Sequence, residues 1–520
     1  MKGRKLPLGI QNFEELRRGG YLYVDKTDML WQIANGDKYN YLSRPRRFGK
    51  SLLTSALHCY FDGRRDLLEG LKIMQLETGW TARPVIHLSM NLGGSTCESL
   101  ENYLNDALLG YEAMYGKRES ERTLGNRLNG IIRRAYERSG VQVAVLVDEY
   151  DAPLQHSFGT PQHDGCRQLY RDFFTGLKDY GYCIKCVFLT GITKFTQISL
   201  FSVLNTLSNI SFRNNYATLC GMTSDEIAAT FAPELHAFAE KRGCTTDGLL
   251  ADMKDMYDGY HFSDDMVDVY NPFSVLNAMS ERRMKSYWVA SGANEMLLKI
   301  LKNFANDIPT IDGCMIDADY LEISDANLSD PKLFLYQAGY LTIKAVQGDS
   351  YVLGLPNREV RKALYGMVLP IMLGREKAAT DNVIQEMKQA LIAIDTDRAM
   401  LCLQQLVAGT PYSTQKKERF VFEEHFRFIL KNLFYMCGFD VNEEVQTSCG
   451  RIDLTVLVPS AVYILELKMD DEGGVNAAAT QIAARHYADM YAASHRPIVC
   501  LAVEFERKGR RLKRWTRVNK

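Results

Sequence analysis

No apolar stretch in this chain approaches the roughly 20 residues that a membrane-spanning helix needs, although 46% of the 520 residues are hydrophobic. The amino terminus shows no charged start followed by an apolar run and a small-residue cleavage site, so the expectation is a cytoplasmic protein with no membrane partner. An excess of one charge is missing too. With 62 Lys and Arg against 63 Asp and Glu, the net charge is −1, which argues against a coat of nucleic acid over the whole chain and leaves a local groove open. Histidine is sparse, at 9 residues, and the 12 cysteines are scattered singly through apolar segments. Neither a disulfide framework nor a zinc ribbon is expected. The close pair Cys183 and Cys186, in GYCIKCVFLTG, sits in an apolar run that reads as a buried strand, whereas a redox or metal role needs a loop, a helix start or a second pair. They are read as structural thiols. What remains is length and balance, enough to bury large cores in about two to four domains.

One absence lies inside the most informative stretch. RPRRFGKSLL, Arg44 to Leu53, ends like a phosphate-binding loop, with Gly49, Lys50 and Ser51 in order, but Arg44 stands where such a loop opens on glycine. YNYLS before it (Tyr39 to Ser43) is of strand type, and after it Leu52, Leu53, Ala56, Leu57 and Tyr60 recur at helical spacing. In a strand–loop–helix unit the first helical N–H groups favour an anion, the lysine reaches the terminal phosphates and the hydroxyl holds Mg²⁺. Arg46 and Arg47 crowd the loop with charge, so a surface basic cluster is the competing reading. A second stretch decides between them. VQVAVLVDEYDAP (Val141 to Pro153) is an apolar run closed by Asp148 and Glu149, and a strand buried on both faces has use for acids at its carboxyl end only where a ligand crevice lies. Asp148 is expected to hold Mg²⁺ and Glu149 to polarise an attacking water. RPVIHLSMN and IKCVFLTGITKF supply further strands, and the alternation with helical stretches predicts a mostly parallel sheet. Thr190, Thr193 or Lys194, at the end of the last of these, is expected to sense the γ-phosphate.

These stretches, with YVDKTDML, SLFSVLNTLSN, MYDGYHF and VYNPFSVLNAM, resemble the AAA-ATPase-like family of bacterial proteins, in which RPRRFGKS replaces the usual phosphate loop. The likeness runs from Leu6 to about Ala290. It implies an additional-strand P-loop NTPase domain in which Arg44 no longer counts against the site. ATP and Mg²⁺ are the implied cofactors. Arg47, Phe48, Gly49, Lys50, Ser51 and Leu52 of the loop, with Asp148 and Thr190, are expected to bind the nucleotide, Ser51 and Asp148 its Mg²⁺, and Glu149 to be catalytic. The aromatic clusters of MYDGYHF and YNPFSVL read as core packing between a helical lid and the nucleotide domain. From Ser286 to Ser413 no motif carries chemistry; YLTIKAVQGDSYVLGLPNREV reads as a hairpin followed by a helix, within a mostly helical connecting region.

The carboxyl-terminal part offers a second constellation. RIDLTVLV (Arg451 to Val458), a PSA turn and VYILELKM (Val462 to Met469) read as a hairpin. Alternation puts Val462, Ile464, Glu466 and Lys468 on one face, at least partly buried, where unpaired charges are costly. A metal ion shared by Glu466 and Asp453 offsets that cost, with Lys468 positioning or activating a water for attack on phosphorus. The competing reading is a structural Glu–Lys ion pair. Gly450-Arg451-Ile452-Asp453 before Glu466, and the helix AAATQIAARHYADMYAA after it, resemble the PD-(D/E)XK nuclease superfamily from about Glu418 to Arg517. By that resemblance the domain is an α/β, restriction-endonuclease-like fold. Asp453, Glu466 and Lys468 are its catalytic core, Gln481 lies near the site on the following helix, and Glu423 in FVFEEHFRFILKNLF lends a further carboxylate, with Glu424 adjacent. The superfamily's leading proline is absent, Ile452 standing before Asp453. ERKGRRLKRWTRVNK reads equally as a phosphate-backbone contact with Trp515 stacking on a base, or as a terminal edge strand kept soluble by charge. The expected architecture is therefore a multidomain α/β chain: ATPase domain 1–220, lid 221–285, connecting domain 286–413 and nuclease-like domain 414–520. Two functions follow. One is an ATP-dependent or ATP-regulated nuclease acting on nucleic acid, DNA before RNA, as a possible homo-oligomer. The other is a nucleotide-controlled binding switch whose carboxyl-terminal domain does not cut.

Overall fold

The computed structural model describes residues 4–194, 207–288, 295–305, 307–323, 330–408, 422–447, 449–507 and 511–518. They divide into two compact units, 1–300 with 311–361, and 301–310 with 362–520.

Five parallel strands form the sheet of the first unit: β1 (Tyr39–Ser43), β2 (Val85–Ser89), β3 (Val143–Asp148), β4 (Ile184–Gly191) and β5 (Ser208–Asn209), in the order β2-β3-β4-β1-β5. β3 is buried at every residue and β4 at all but Lys185, as parallel strands covered on both faces must be, and this is why they read as continuous aliphatic runs. β4 lies between β1 and β3, the additional-strand order. It pairs Tyr39 of β1 with Val187 and Val147 of β3 with Leu189, which sets the carboxyl ends of β1, β3 and β4 side by side. Helices Cys97–Tyr115, Leu124–Ser139 and His163–Phe174 close one side. Leu100, Leu104 and Leu108, four apart, and Leu128, Ile131, Ile132 and Ala135 pack with Val143, Val145 and Val147 of β3. Each such fully buried leucine contributes about 1.5–3 kcal/mol over its exposed state. Cys183 and Cys186 are both fully buried free thiols, and burial pushes the Cys186 thiol up to about 12.

Helix α1 (Lys50–Phe61) follows β1 directly and buries Leu53, Ala56, Leu57 and Phe61. A helical cluster after the sheet, ending in α2 (Pro272–Glu281), shares a core of Ile227, Phe231, Leu235, Phe238, Leu249, Met253, Tyr257, Tyr270 and Val275. The motif aromatics are core here: Tyr257, Tyr260, Phe262 and Tyr270 are all buried. β6 (Cys314–Asp317), β7 (Thr342–Gln347) and β8 (Ser350–Gly354) form an antiparallel sheet in the order β6-β8-β7. β7 and β8 are the hairpin expected within 286–413; β6, a four-residue strand with no long apolar run, was not legible there.

The second unit holds a mixed sheet of β9 (Asp440–Thr447), β10 (Gly450–Val458), β11 (Ala461–Met469), β12 (Ile498–Glu506) and β13 (Arg511–Val518), in the order β13-β12-β11-β10-β9. Only β11 and β12 are parallel, and a parallel pair needs a crossover. α3 (Phe422–Met436) precedes β9, and α4 (Gly474–Arg485) provides the crossover. Val475, Ala478 and Ile482 of α4 pack on Val462, Ile464, Cys500 and Ala502. Among the described residues no helix is long and apolar enough to cross a membrane.

Candidate functional site

In the first unit the chain leaves β1 at Ser43, turns through residues 44–49 and enters α1 at Lys50. Gly49 caps α1 with φ 92°, ψ 22°, a left-handed conformation that costs a side chain about 1–2 kcal/mol, and Arg47 also has positive φ, 69°. The turn aims the free N–H groups of the helix start, and the positive end of its dipole, at one spot. Lys50 is 6% exposed, and its ammonium donates to the Arg44 and Pro45 carbonyls at 2.9 and 3.0 Å. Burial lowers its pKa, opposed by the charges of Glu149, Asp151 and Asp148.

Arg44 does not face the loop interior. It is 1% exposed, donates to the Ser43, Ser211, Tyr216 and Leu219 carbonyls, and stacks on the Phe262 ring at 4.2 Å. Burial pulls its pKa down to about 10. The residue in place of the opening glycine therefore braces the turn from behind. Phe48, 1% exposed, adds edge contacts to Tyr260 and Phe262 at 4.9 and 5.4 Å, so MYDGYHF buttresses the loop. Arg47 lies over the Phe273 ring of α2 at 4.7 Å.

At the end of β3, Asp148 accepts a hydrogen bond from the Thr190 hydroxyl at 2.8 Å. Glu149, the first residue after β3, takes φ 50°, in the left-handed region. Burial pushes its carboxyl up, Lys50 opposing and Asp148 and Asp151 adding to the rise. Asp151, fully buried and missed in the sequence, accepts from the Ile192 and Thr193 amides at 3.0 and 2.6 Å. It clips the end of β4 to the end of β3. A D-x-x-D spacing after an apolar strand is the signal that could have found it.

A cavity of about 500 Å³ is lined by Arg46, Arg47, Phe48, Gly49, Lys50, Ser51, Leu52, Glu149 and Asp151, with apolar residues such as Leu22, Val24, Phe231, Phe273 and Leu276. That size suits a nucleotide. Of the three residues expected to sense the γ-phosphate, Thr190 and Thr193 are fully buried, and none lines this cavity. Thr190 holds Asp148 instead, and Ile192, the residue after β4, meets the cavity. An anion seated here meets a helix start, a buried lysine and a loop of arginines; Asp148 is not among the lining residues, while Ser51 and Glu149 line the cavity with hard oxygens of the kind that suit Mg²⁺.

In the second unit, β10 and β11 pair Leu454 with Leu465, which brings Asp453 beside Glu466 at the end of the hairpin away from its turn. The Asp453 carboxylate accepts the Leu467 amide at 2.8 Å, so the acid of one strand is fastened between Glu466 and Lys468 of the next. Asp453 is 5% exposed and Glu466 0%; Lys468 reaches the Glu466 carboxylate at 3.4 Å. Burial pushes the Asp453 carboxyl up, tempered by the Leu467 amide and by Lys468, Arg427 and Arg451. Gln481 on α4 donates to the Tyr487 hydroxyl at 3.1 Å, which donates to the Arg451 carbonyl at 2.7 Å. The Glu423 side chain lies outside the described residues. Two buried carboxylates with a lysine beside them suit a cation that keeps several waters, as Mg²⁺ does.

At the basic end of the chain, several of the described cations are held in ion pairs. β13 is the edge strand, where Lys513 and Arg514 pair with Glu504 at 3.0 and 2.7 Å and the Trp515 indole donates to Asp397 at 3.1 Å. This favours the charged-edge reading over base stacking.

Compared with known proteins, residues 7–201 match a family model described as predicted AAA-ATPase, and residues 421–515 one described as PD-(D/E)XK nuclease superfamily. A protein of Azotobacter chroococcum mcd 1, named only as an uncharacterized protein in the vnfD 5′ region, is 33% identical over 525 residues, covering 98% of each chain.

Proposed function

Because the chain belongs to the AAA-ATPase-like family and carries a PD-(D/E)XK nuclease superfamily domain, we propose that it is an ATP-regulated, Mg²⁺-dependent nuclease. In this reading the amino-terminal unit binds ATP, and the state of that site gates cleavage of phosphodiester bonds, in DNA before RNA, by the carboxyl-terminal domain. Lys50, with the amides at the start of α1, meets the terminal phosphates. Ser51 and Asp148 would hold the metal, with Thr190 fixing Asp148. Glu149, its carboxyl pushed up by burial, accepts a proton from an attacking water.

The observation that carries the nuclease half is the bond from the Leu467 amide to Asp453, which sets one acid between Glu466 and Lys468. Asp453 and Glu466 would hold Mg²⁺ there. The bound ion supplies a Lewis acid for the phosphodiester and a more acidic water. Lys468 would orient a water beside the carboxylates, and Gln481, held by Tyr487, borders the site. The Lys468–Glu466 ion pair also favours a second reading, a binding switch whose nuclease fold no longer cuts.

The test of the amino-terminal half is ATP titration of wild type and Lys50→Ala, with cleavage assayed in parallel. We expect Lys50→Ala to lose ATP binding and the ATP effect on cleavage. Unchanged ATP affinity in Lys50→Ala would place the nucleotide elsewhere; binding without cleavage by wild type would favour the switch.

A further inference from the structure

The nuclease-like domain has a buried acidic floor and a cationic rim. Asp453 and Glu466 are 5% and 0% exposed, whereas Lys468 and Arg451 expose 21% and 51% of their side chains. Arg427, in the second turn of α3, is mostly buried at 12% exposed, and its charge and that of Arg451 both act on Asp453.

What gathers the two arginines is Glu444. Its Oε1 lies 3.1 Å from Arg427 and 3.3 Å from Arg451, so one carboxylate oxygen holds two guanidinium groups. Glu444 is at an unusual place in the backbone. The β9–β10 ladder pairs Ile452 with Val445 and Leu454 with Glu443, so Glu444 falls opposite Asp453, the one step at which the ladder is broken. There Glu444 has φ 52°, in the left-handed region. A non-glycine residue in that region inside a strand is strained by about 1–3 kcal/mol, and such strain persists where the surroundings enforce it. Close by, Gly450 has φ 152°, and a Cβ built on it would stand 2.0 Å from Arg485 Nη1. The glycine lets a further guanidinium lie flat on the strand that carries Asp453. One carboxylate does not neutralise two arginines, and an ion pair needed only for stability does not call for a missing ladder step.

We infer that Arg427 and Arg451, gathered on Glu444 at the break beside Asp453, form a phosphate-binding fork that seats the nucleic-acid backbone next to the nuclease carboxylates. Planar guanidinium groups bind phosphate oxygens in a fork geometry that lysine lacks. The ligand is a phosphodiester, common to DNA and RNA, and contacts of this kind position the strand without reading its sequence. This rests on the nuclease reading above.

The test uses the full chain, wild type, Arg427→Gln, Arg451→Gln and Arg451→Lys, with a short DNA duplex, the same DNA single-stranded and the matching RNA. Binding is measured across a salt series, and cleavage with Mg²⁺. Each Gln variant is expected to weaken binding about tenfold, to flatten the slope of log affinity against log salt by about one, and to raise KM more than it lowers kcat. Arg451→Lys is expected to keep the salt slope and lose part of the affinity. ATP binding in each variant reports that the chain is folded. Wild-type binding or cleavage with unchanged affinity and slope in both Gln variants would overturn the fork alone. A wild type that neither binds nor cuts any of the three would overturn the nuclease reading and the fork with it. Which polymer shows the effect identifies the backbone it takes.

Discussion

Asp258, the acid of MYDGYHF, gives the structure a pH dependence that Asp258→Asn should remove. The side chain is 1% exposed, and burial pushes its carboxyl from the ordinary 3.8 up to about 7; Asp268 adds to the rise, while the Gly259 amide, Lys254 and Lys344 temper it. A rise of roughly three pH units corresponds to about 4 kcal/mol. The folded state holds this proton more tightly than the unfolded chain, so stability is lost as pH rises from 3.8 through 7 and levels off above. About 3 kcal/mol of the change falls between about pH 5 and about pH 8. Asparagine keeps the shape and cannot ionise. Denaturant unfolding of both proteins across that range should show Asp258→Asn gaining on wild type as pH rises, by up to about 3 kcal/mol. Parallel curves for the two proteins would refute the assignment of a buried, raised carboxyl to this residue.

Arg44→Met should destabilise the first unit by about 3 kcal/mol, because four carbonyls lose a charged donor while the apolar contact with Phe262 remains; a thermal shift shows it, and an unchanged midpoint contradicts the bracing role. Gly49→Ala meets no atom within 4 Å, so its penalty is the left-handed φ alone, about 1 kcal/mol of stability, seen as a lowered unfolding midpoint; an unchanged midpoint contradicts it. His58 of α1 and His87 of β2 meet at 3.3 Å between Nδ1 atoms, and burial lowers both pKa values. Their contribution to stability is therefore full above the ordinary 6.5 and lost as pH falls below it. The His87→Gln variant should lose less stability than wild type on acidification, and a steeper loss contradicts this.

Much of the fold was legible because the signals are local. Tyr39 to Ser43 reads as a strand and is β1; the Val141 to Pro153 run contains β3; the hairpin around Pro459 is β10 and β11 to within a residue. The resemblance carried the additional-strand order, which no local period encodes, since placing β4 between β1 and β3 is a matter of long-range pairing. The cluster Asp453, Glu466 and Lys468 could be read from alternation along a hairpin. Roles fixed by distant backbone could not. Arg44 looked like an intruder in a phosphate loop because its four carbonyl partners include three from residues 211 to 219. Thr190 looked like a phosphate sensor because its strand ends near the cavity, yet its hydroxyl is spent on Asp148. Trp515 looked free to stack until Asp397, more than a hundred residues earlier, took its indole N–H.

The central claim is that a nucleotide site governs a working nuclease in one chain. The most direct measurement is cleavage of linear and circular DNA and of structured RNA by wild type and Lys468→Ala, with Mg²⁺ or Mn²⁺, with and without ATP. The expected result is metal-dependent cutting by wild type that changes with ATP and is lost in Lys468→Ala. Intact ATP binding with no cutting of any substrate, or cutting that survives Lys468→Ala, would contradict it.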